Sequence, residues 1–456
     1  MSSTELSIQR FGYQQELRRT LSLTDLVIYG MVFMAPLAPM QVYGLVAHQS
    51  YGMTPLVYIV GVLAMLFTAM SYAHMSREFP IAGSVYSYIQ RAVNPHIGFV
   101  AGWLILIDYI LIPGLMYAFS AVWMEGIVPG VPAQAWGVLF ILINTFISVR
   151  GITLTARANF FMFWLQIATL VAFFALGVKF VFIDGHGTGG FSMAPLFQAE
   201  HFNVNFIATA TTIAVLGFLG FDGISTLAEE AKDPVRTVGK ATVLSLIVIG
   251  VLFLGQTYMA ALVHPAYEGL DPDMGFFDIA RESGGDVFYV LLILVNVIAM
   301  GGAVTLNVQA ATSRVLYSMS RDNLLPFSSF FRRVHPKYQT PIGATFFSAG
   351  VSLFILFALP IETIIKFVNF GATTSFMMLN FSVFYYFFLK KKRRDLKSIF
   401  KFMIFPLAGL FIVGYVWSGF DPVTFYVGFG WIAVGIVFGA VKSKGYRELP
   451  PTLQDL

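Results

Sequence analysis

The sequence predicts an all-α integral membrane protein with about twelve transmembrane helices, and three observations support this fold class. Hydrophobic residues make up 57% of the chain. Charged residues make up only 11%, whereas a soluble domain carries about 25%. Apolar runs of about 20 residues, each long enough to cross ~30 Å of hydrocarbon, recur from Leu21 to Ala440. The membrane is therefore the solvent for most of this chain.

Twelve spans can be placed along the chain, with ends uncertain by a few residues. Polar or charged segments separate the apolar runs, and no cysteine is available for a disulfide or a thiolate site. The spans lie near 22–46, 54–75, 97–125, 134–149, 158–182, 203–227, 240–263, 286–312, 341–359, 362–389, 400–418 and 423–441.

The distribution of positive charge predicts the orientation. All 28 Lys and Arg residues except Lys179, Arg281 and Lys366 fall on one side when the spans alternate in direction. The positive-inside rule places that side in the cytoplasm. We therefore expect a multi-pass protein of the cytoplasmic membrane with both termini in the cytoplasm.

Three segments outside the spans belong to this cytoplasmic side. The amino-terminal segment 1–21 is polar and lacks the small-residue cleavage site of a removable signal peptide. A basic loop is expected at 390–399 and a tail at 442–456. The run of five basic residues at 390–394 fits either a topology determinant or an anionic-lipid site.

Helix breakers interrupt the first and the sixth span. A membrane helix must satisfy its own backbone hydrogen bonds, so breaks at mid-depth are tolerated only where protein or a water-filled cavity replaces the lost partners. Prolines and glycines are also common in membrane helices generally, which is the simpler explanation for either span alone. The breakers are Gly30, Pro36 and Pro39 in the first span and Gly217, Gly220 and Gly223 in the sixth.

The two interrupted spans occupy matching positions. They head two blocks of five spans, 22–182 and 203–389, which form a ten-helix core followed by two additional helices in 400–441. Five spans per block invert the topology of the second block. Matched broken helices in inverted halves point to a transport site near the bilayer midplane. We expect 35–39 and 217–223 to be non-helical and to face each other.

Three motifs resemble those of one transporter superfamily. The sixth span carries Phe-Leu-Gly-Phe-Asp at 218–222 and Ala-Glu-Glu-Ala-Lys-Asp-Pro at 228–234, before Arg236. Arg-Glu-Phe-Pro-Ile-Ala-Gly-Ser at 77–84 follows the second span, with Tyr86 and Tyr88. Ser313, Arg314, Met-Ser-Arg-Asp-Asn at 319–323 and Pro326 follow the eighth. Together they are similar to the amino acid–polyamine–organocation superfamily over nearly the whole chain.

This resemblance implies a twelve-helix fold with a five-plus-five inverted repeat and transport by alternating access. Within the superfamily, the chain is most similar to bacterial putrescine importers. That likeness lies in Gly-Trp at 102–103, Leu-Ile-Asp-Tyr at 106–109, Asn-Phe-Gly-Ala at 369–372 and the proline-containing first break.

Two departures from the superfamily pattern bear on function. Many amino acid transporters of the superfamily resemble one another in a glycine-rich first break whose amides bind the substrate carboxylate. The matching stretch here is Met-Ala-Pro-Leu-Ala-Pro at 34–39, which disfavours a carboxylate receptor. Gln166 aligns with a lysine that some proton-coupled members carry, so proton coupling through such a lysine is not expected.

Two acids lie within spans, where a carboxylate costs about 2.5–3.5 kcal/mol. Asp108 lies about ten residues into the third span without a Lys or Arg in that helix, and Asp222 lies at the sixth-span break. Each is compatible with a protonated structural acid, a proton carrier, or the counter-charge of a cationic substrate.

The residues around the breaks form the predicted substrate site, in which aromatic rings can favour an ammonium group by about 0.5–2 kcal/mol. A separate set of charged residues at the cytoplasmic helix ends is expected to form a solvated gate network. The predicted substrate-binding residues are Phe33, Met34, Ala35, Pro36, Asp108, Tyr109, Phe218, Phe221 and Asp222, and the predicted gate residues are Glu229, Glu230, Arg236, Arg314 and Arg321.

These features favour a secondary transporter for a small organic amine such as putrescine, with a neutral or cationic amino acid as the alternative substrate. An enzyme is not expected, because the chain lacks His-Glu-x-x-His, Gly-x-Ser-x-Gly and phosphate-loop motifs. Nothing in it repeats like a channel selectivity filter. We expect no cofactor or metal and no nucleic-acid partner. The coupling ion, with H⁺ as one candidate, and the oligomeric state are left open.

Overall fold

The computed structural model describes residues 19–82, 84–128, 130–272, 274–321, 325, 327–445 and 447. Segment 1–18 and most of the predicted tail, at 446 and 448–456, lie outside the described residues. So do the motif residues Gly83, Asp322, Asn323 and Pro326.

The described residues form helices joined by loops, in the order of the twelve predicted spans. Ten helices are long and apolar enough to cross a membrane, and the bent first pair makes an eleventh span. The ninth span is shorter, with 17 residues. The all-α membrane fold class is thus confirmed, whereas the inverted symmetry of the two blocks stays a prediction.

The first six spans comprise the first block of five spans and span 6, which begins the second block. They are Leu23–Met34 with Pro39–Gln49 (span 1), Thr54–Glu78 (span 2), Pro95–Ile127 (span 3), Ala133–Arg150 (span 4), Ile152–Val178 (span 5), and Val204–Ala214 continued by Val215–Phe218 and Gly223–Thr226 (span 6).

Six more spans complete the bundle, and four π-helical segments extend or join its helices. The spans are Pro234–Val263 (span 7), Gly275–Ile298 with Thr305–Arg321 (span 8), Ile342–Ala358 (span 9), Ile361–Val383 (span 10), Phe405–Trp417 preceded by Leu396–Ile399 (span 11), and Pro422–Lys442 (span 12). The π segments are Lys179–Ile183, Ala299–Val304, Phe384–Lys390 and Phe400–Ile404.

Several helix starts differ from the sequence expectation. Span 7 begins at Pro234 instead of 240, because the Asp233 side chain caps its first turn by accepting from the Arg236 amide. Span 8 begins at Gly275 instead of 286 and bends at Gly285, whose φ of 75° requires glycine. Span 11 begins at Leu396, so the basic loop is shorter than predicted.

Close helix packing depends on small residues in span 3 and span 12. A side chain at Gly98 or Gly102 would collide with the short helix Ser84–Ala92, which the sequence analysis missed. Span 12 is fastened to span 3 by Trp103 and Trp431. Their rings stack at 4.6 Å, and each indole N–H donates to the other's backbone carbonyl at 3.0 and 3.1 Å.

The bundle has two ends of different charge. Because the number of spans is even, the start of span 1 at Leu23 and the end of span 12 at Lys442 lie at the same end, which we call the basic end. The three exceptional basic residues are each paired with an aspartate, which offsets their positive charge. The pairs are Lys179 with Asp184 at 3.1 Å, Arg281 with Asp286 at 2.5 Å and Lys366 with Asp421 at 3.2 Å.

Candidate functional site

The break in span 1 is a turn at 35–38. The first half-helix ends at Met34, and the second begins at Pro39 with a bend of 48° between their axes. Ala35 has a φ of 55°, which lies outside the helical region. Pro39 was predicted to be non-helical, but it occupies the first helical position, where its missing N–H costs no hydrogen bond.

This break offers little of its backbone to a carboxylate. The amides of Ala35, Ala38 and Met40 already donate to carbonyls within the turn, at 3.0–3.2 Å. Pro36 and Pro39 have no N–H to offer. A cluster of free amides, which would bind a substrate carboxylate, is therefore not formed by these five residues.

The break in span 6 faces the first. A 3₁₀ segment, Val215–Phe218, is followed by a turn at 219–222, and helix resumes at Gly223, so Gly217, Phe218 and Gly223 of the predicted non-helical stretch 217–223 are helical. Gly220 has a φ of 114°, which favours glycine. The Phe33 ring of span 1 occupies the space that a side chain at Gly220 or Gly223 would need.

A small cavity, which we call the central cavity, lies between the two breaks. Its volume is about 20 Å³, and one water molecule needs roughly 10–15 Å³ on the same scale. A substrate larger than water therefore requires the helices to move apart. The walls come from spans 1, 3, 6 and 8 and include Phe33, Met34, Ala35, Gln41, Ile112, Met116, Leu216 and Met300.

Beside this cavity lies a second group, the acid cluster, consisting of Asp108, Tyr109, Asp222, Ser84 and Tyr72. The Tyr109 hydroxyl donates to Asp222 Oδ2, and the Ser84 hydroxyl donates to the same oxygen at 3.5 Å. The Tyr72 hydroxyl is 3.2 Å from Ser84 Oγ. Asp108 interacts electrostatically with Asp222, so the two carboxyl groups share one environment.

The acid cluster contains buried oxygen atoms that accept no hydrogen bond from the described protein. Asp108 and Asp222 are 2% and 1% exposed. One oxygen of each carboxyl group, Oδ1, is buried without a hydrogen-bond partner. Throughout the described ranges, no Lys, Arg or His forms an ion pair with either acid. An unpaired carboxylate in this position is expensive, so the cluster is suited to a proton or an external cation.

Phe33 adjoins both the acid cluster and the central cavity. It lines the cavity, and its ring centroid is 6.4 Å from that of Tyr109. Of the other predicted substrate residues, Met34 and Ala35 also line the cavity, whereas Asp108 and Asp222 do not.

The remaining predicted substrate residues pack into the protein. The Phe218 ring lies 5.0 Å from that of Phe253, and the Phe221 ring lies 5.3 Å from that of Phe376. The Pro36 carbonyl accepts from Gln256 Nε2 at 2.8 Å. These contacts place all three residues around the breaks but outside the cavity wall.

Four of the five predicted gate residues form two ion pairs near the basic end. Arg314 Nε is 2.5 Å from Glu230, and Arg321 Nη2 is 3.1 Å from Glu229. The expectation of a solvated network was wrong, because Glu229 and Glu230 are only 1% and 5% exposed. The short 3₁₀ turn Ala228–Glu230 folds both acids against span 8.

The fifth predicted gate residue lies apart. The side chain of Arg236 is 83% exposed and pairs at 3.7 Å with Asp233, its neighbour in the first turn of span 7. It makes a helix-end contact that water can replace.

A larger cavity opens at the basic end. It has a volume of about 280 Å³ and is lined by Glu230, Arg314, Ser313, Tyr317 and Arg150, among others. We call it the vestibule. Span 8 contributes to both cavities, with Met300, Val304 and Val308 at the central cavity and Ser313 and Tyr317 at the vestibule. With 3.6 residues per turn, Ser313 and Tyr317 lie on roughly the opposite face of span 8 from Val304 and Val308, so the two cavities adjoin different faces of the same helix.

Sequence reasoning missed several residues that the fold brings to the site. Ser84, at the start of the short helix after span 2, reaches Asp222, and Tyr72 of span 2 contacts Ser84. Thr312 of span 8 donates to the Tyr109 carbonyl at 2.5 Å. Gln41 was detectable as an amide near the start of the second half-helix, whose other amide, Gln49, lies at its far end.

Two broken helices around a closed central cavity, with a vestibule at one end of a twelve-span bundle, define a membrane transporter. The chain belongs to the amino acid permease family, whose model matches residues 20–441. This membership confirms the resemblance to the amino acid–polyamine–organocation superfamily.

Curated relatives cover almost the whole chain. The chain is 32% identical over 447 residues to the low-affinity putrescine importer PlaP of Escherichia coli K12, covering 97% of each protein. It is 26% identical to the branched-chain amino acid permease BcaP of Bacillus subtilis, over 96% of this chain and 95% of that protein. It is also 26% identical to the methylthioribose transporter of B. subtilis, covering 95% of both. These relatives are transporters and not enzymes.

Proposed function

We propose that this permease moves a small organic amine, similar to putrescine, across the cytoplasmic membrane by alternating access. The observation that carries this proposal is the acid cluster, in which two buried carboxyl groups have no cationic partner among the described side chains. The 32% identity to a putrescine importer supports the same substrate class.

A substrate ammonium group would supply the positive charge and the hydrogen-bond donors that the acid cluster lacks. Burying a lone carboxylate is costly, but pairing it with a cation that also donates hydrogen bonds offsets much of that cost. The unpartnered Oδ1 atoms of Asp108 and Asp222 are the acceptors for such a group. Tyr109 and Phe33 add aromatic surface, which favours ammonium ions.

The first break supports an amine over an α-amino acid. An amino acid presents a carboxylate that needs backbone amides or a cation. The amides of Ala35 and Ala38 are already used, and Pro36 has none. The competing proposal, an amino acid permease, is supported by the likeness to BcaP and predicts a carboxylate receptor elsewhere in the cavity.

The two cavities support alternating access. The central cavity is small and lined by buried side chains, while the vestibule is larger and includes exposed residues such as Lys337 at the basic end, which we place in the cytoplasm. The buried pairs of Glu229 with Arg321 and Glu230 with Arg314 join the end of span 6 to span 8. We propose that rearrangement of this contact accompanies passage between the cavities. The coupling ion is not part of the proposal, although the acid cluster can also hold a proton.

Uptake by the purified protein in liposomes tests the proposed function. We expect saturable uptake of radiolabelled putrescine that unlabelled putrescine inhibits and leucine does not. Protein-free liposomes and the Asp222→Asn protein serve as controls. Uptake of leucine without any uptake or binding of putrescine would overturn the amine proposal in favour of the amino acid permease.

A further inference from the structure

Gln41 is a buried amide whose hydrogen bonding is incomplete. It lies in the second half of span 1, is 5% exposed and lines the central cavity. Its Nε2 lies 3.0 Å from the sulfur of Met300, which is a weak acceptor. Its Oε1 is buried and has no hydrogen-bond partner. The polar end of this side chain is therefore free to bind something other than the protein.

The rest of the cavity wall makes this amide stand out. Every other described lining residue is Phe, Met, Leu, Ile, Val, Ala or Gly, so Gln41 carries the only polar side chain in that wall. An amide oxygen left unsatisfied in such surroundings costs about 1–3 kcal/mol. Packing alone does not account for that cost, because a methionine would fill similar space without it. A ligand with an N–H donor removes the cost.

The position of Gln41 relative to the acid cluster suggests the shape of the ligand. Phe33 lines the same cavity as Gln41, and its ring also lies next to Tyr109 of the acid cluster. The cavity wall carries Met34, Met116 and Met300 as well, which suit a flexible methylene chain. The arrangement matches a molecule with an apolar middle and a donor at each end.

We propose that Gln41 is a specificity-determining residue that binds the second amino group of a diamine. In this binding mode, one ammonium group meets the acid cluster, the methylene chain lies against the methionines, and the other ammonium group donates to Gln41 Oε1. The inference rests on the proposed amine transport. It adds that the chain distinguishes diamines from monoamines, which the acid cluster alone would not do.

The same amide has a second possible orientation. Rotation by 180° would present its N–H donors, which would suit a substrate carboxylate instead of an ammonium group. Replacing Gln41 with glutamate separates the two cases. A carboxylate at this position attracts an ammonium group and repels a carboxylate.

The experiment is a calorimetric binding measurement on purified wild type, Gln41→Met and Gln41→Glu, with putrescine and butylamine as ligands. The matched control is Gln166→Met in span 5. Gln166 is also a buried glutamine with an unpartnered oxygen, but it does not line the central cavity.

We expect Gln41→Met to weaken putrescine binding about tenfold, because a hydrogen bond to a charged group is lost. Butylamine, which has a single amino group, should bind Gln41→Met as tightly as wild type. The loss of affinity should therefore occur only for ligands with two amino groups. Gln41→Glu should bind putrescine at least as tightly as wild type. Gln166→Met should bind both ligands like wild type.

Two results would overturn the inference while leaving amine transport intact. One is wild-type affinity of folded Gln41→Met for putrescine. The other is loss of putrescine binding in Gln41→Glu while Gln41→Met still binds it. If wild type binds neither amine, the proposed function itself fails, and the inference fails with it.

Discussion

Two pairs of buried acids in this bundle differ in their partners. One pair contacts arginines, and the other has no cationic partner among the described residues. Glu229 and Glu230 lie near the basic end, and each contacts an arginine of span 8. Asp108 and Asp222 lie beside the central cavity. Asp222 accepts hydrogen bonds from the hydroxyl groups of Ser84 and Tyr109, and no described Lys, Arg or His forms an ion pair with either acid. All four are at most 5% exposed, so burial does not distinguish them.

The difference shows how the same chemical group can serve structure or binding. A carboxylate paired inside the protein is already neutralised, and it holds two helices together. A carboxylate without a cation is incomplete until a proton or a charged ligand arrives. The glutamate pair therefore forms the contact between spans 6 and 8, and we propose that the aspartate pair binds the substrate.

The largest expected effect is a loss of stability when one of the buried glutamate–arginine pairs loses its arginine. In wild type, Arg314 Nε lies 2.5 Å from the Glu230 carboxylate. Arg314→Ala removes this partner and leaves the Glu230 carboxylate buried and unpaired. Breaking a buried pair from one side costs about 3–5 kcal/mol. Thermal unfolding of the detergent-solubilised protein should show a large decrease in the melting temperature.

The control for this prediction removes both charges. The double variant Glu230→Gln with Arg314→Met should recover most of the lost stability, because no uncompensated charge remains. Equal melting temperatures for Arg314→Ala and wild type would show that the pair does not stabilise the folded protein.

An intermediate effect is expected in the acid cluster. Tyr109→Phe removes the hydroxyl that donates to Asp222 and positions its carboxyl group. Hydrogen bonds to charged groups are worth about 1.5–3 kcal/mol, so putrescine binding should weaken roughly tenfold or more. Titration calorimetry measures this change.

Tyr58→Phe is the matched control for Tyr109→Phe. The Tyr58 hydroxyl is also buried, but it has no hydrogen-bond partner and does not touch the acid cluster. Its removal should leave putrescine affinity unchanged. If the two variants bound putrescine equally, Tyr109 would have no positioning role.

The smallest effect is expected for Arg236, which belongs neither to the buried glutamate–arginine pairs nor to the acid cluster. Arg236→Ala removes an exposed ion pair of 3.7 Å, and such pairs contribute about 0–1 kcal/mol. Melting temperature and putrescine uptake should both stay close to wild type. A decrease in stability as large as that of Arg314→Ala would place Arg236 with the buried glutamate–arginine pairs after all.

Features that depend on local sequence were predictable. Prolines and glycines cannot continue a membrane helix without help, so the breaks at Pro36 and Gly220 were visible as residue types. The errors at their edges are one or two residues, with Pro39 at the first break and Gly217, Phe218 and Gly223 at the second. Pro39 was misplaced because a proline that ends one helix is also well suited to begin the next.

Features that depend on packing between distant segments were not predictable. Arg314 and Arg321 lie 84 and 92 residues from the glutamates they contact, and nothing local reveals that burial. The helix Ser84–Ala92 was missed because it is polar and short, although it delivers Ser84 to Asp222. The placement of Phe33 next to both Tyr109 and the central cavity is likewise a tertiary result.

The most direct test of the central claim compares Asp108→Asn with Glu229→Gln in one experiment. Putrescine affinity is measured by calorimetry, and stability by thermal unfolding without ligand. We predict that Asp108→Asn stays as stable as wild type but binds putrescine ~30-fold more weakly or worse, since losing one partner of a buried charge pair costs about 2–5 kcal/mol. Glu229→Gln should lose stability and keep its affinity. Wild-type putrescine affinity in folded Asp108→Asn would contradict the account, and if proton-driven accumulation were lost at the same time, Asp108 would be a proton carrier instead.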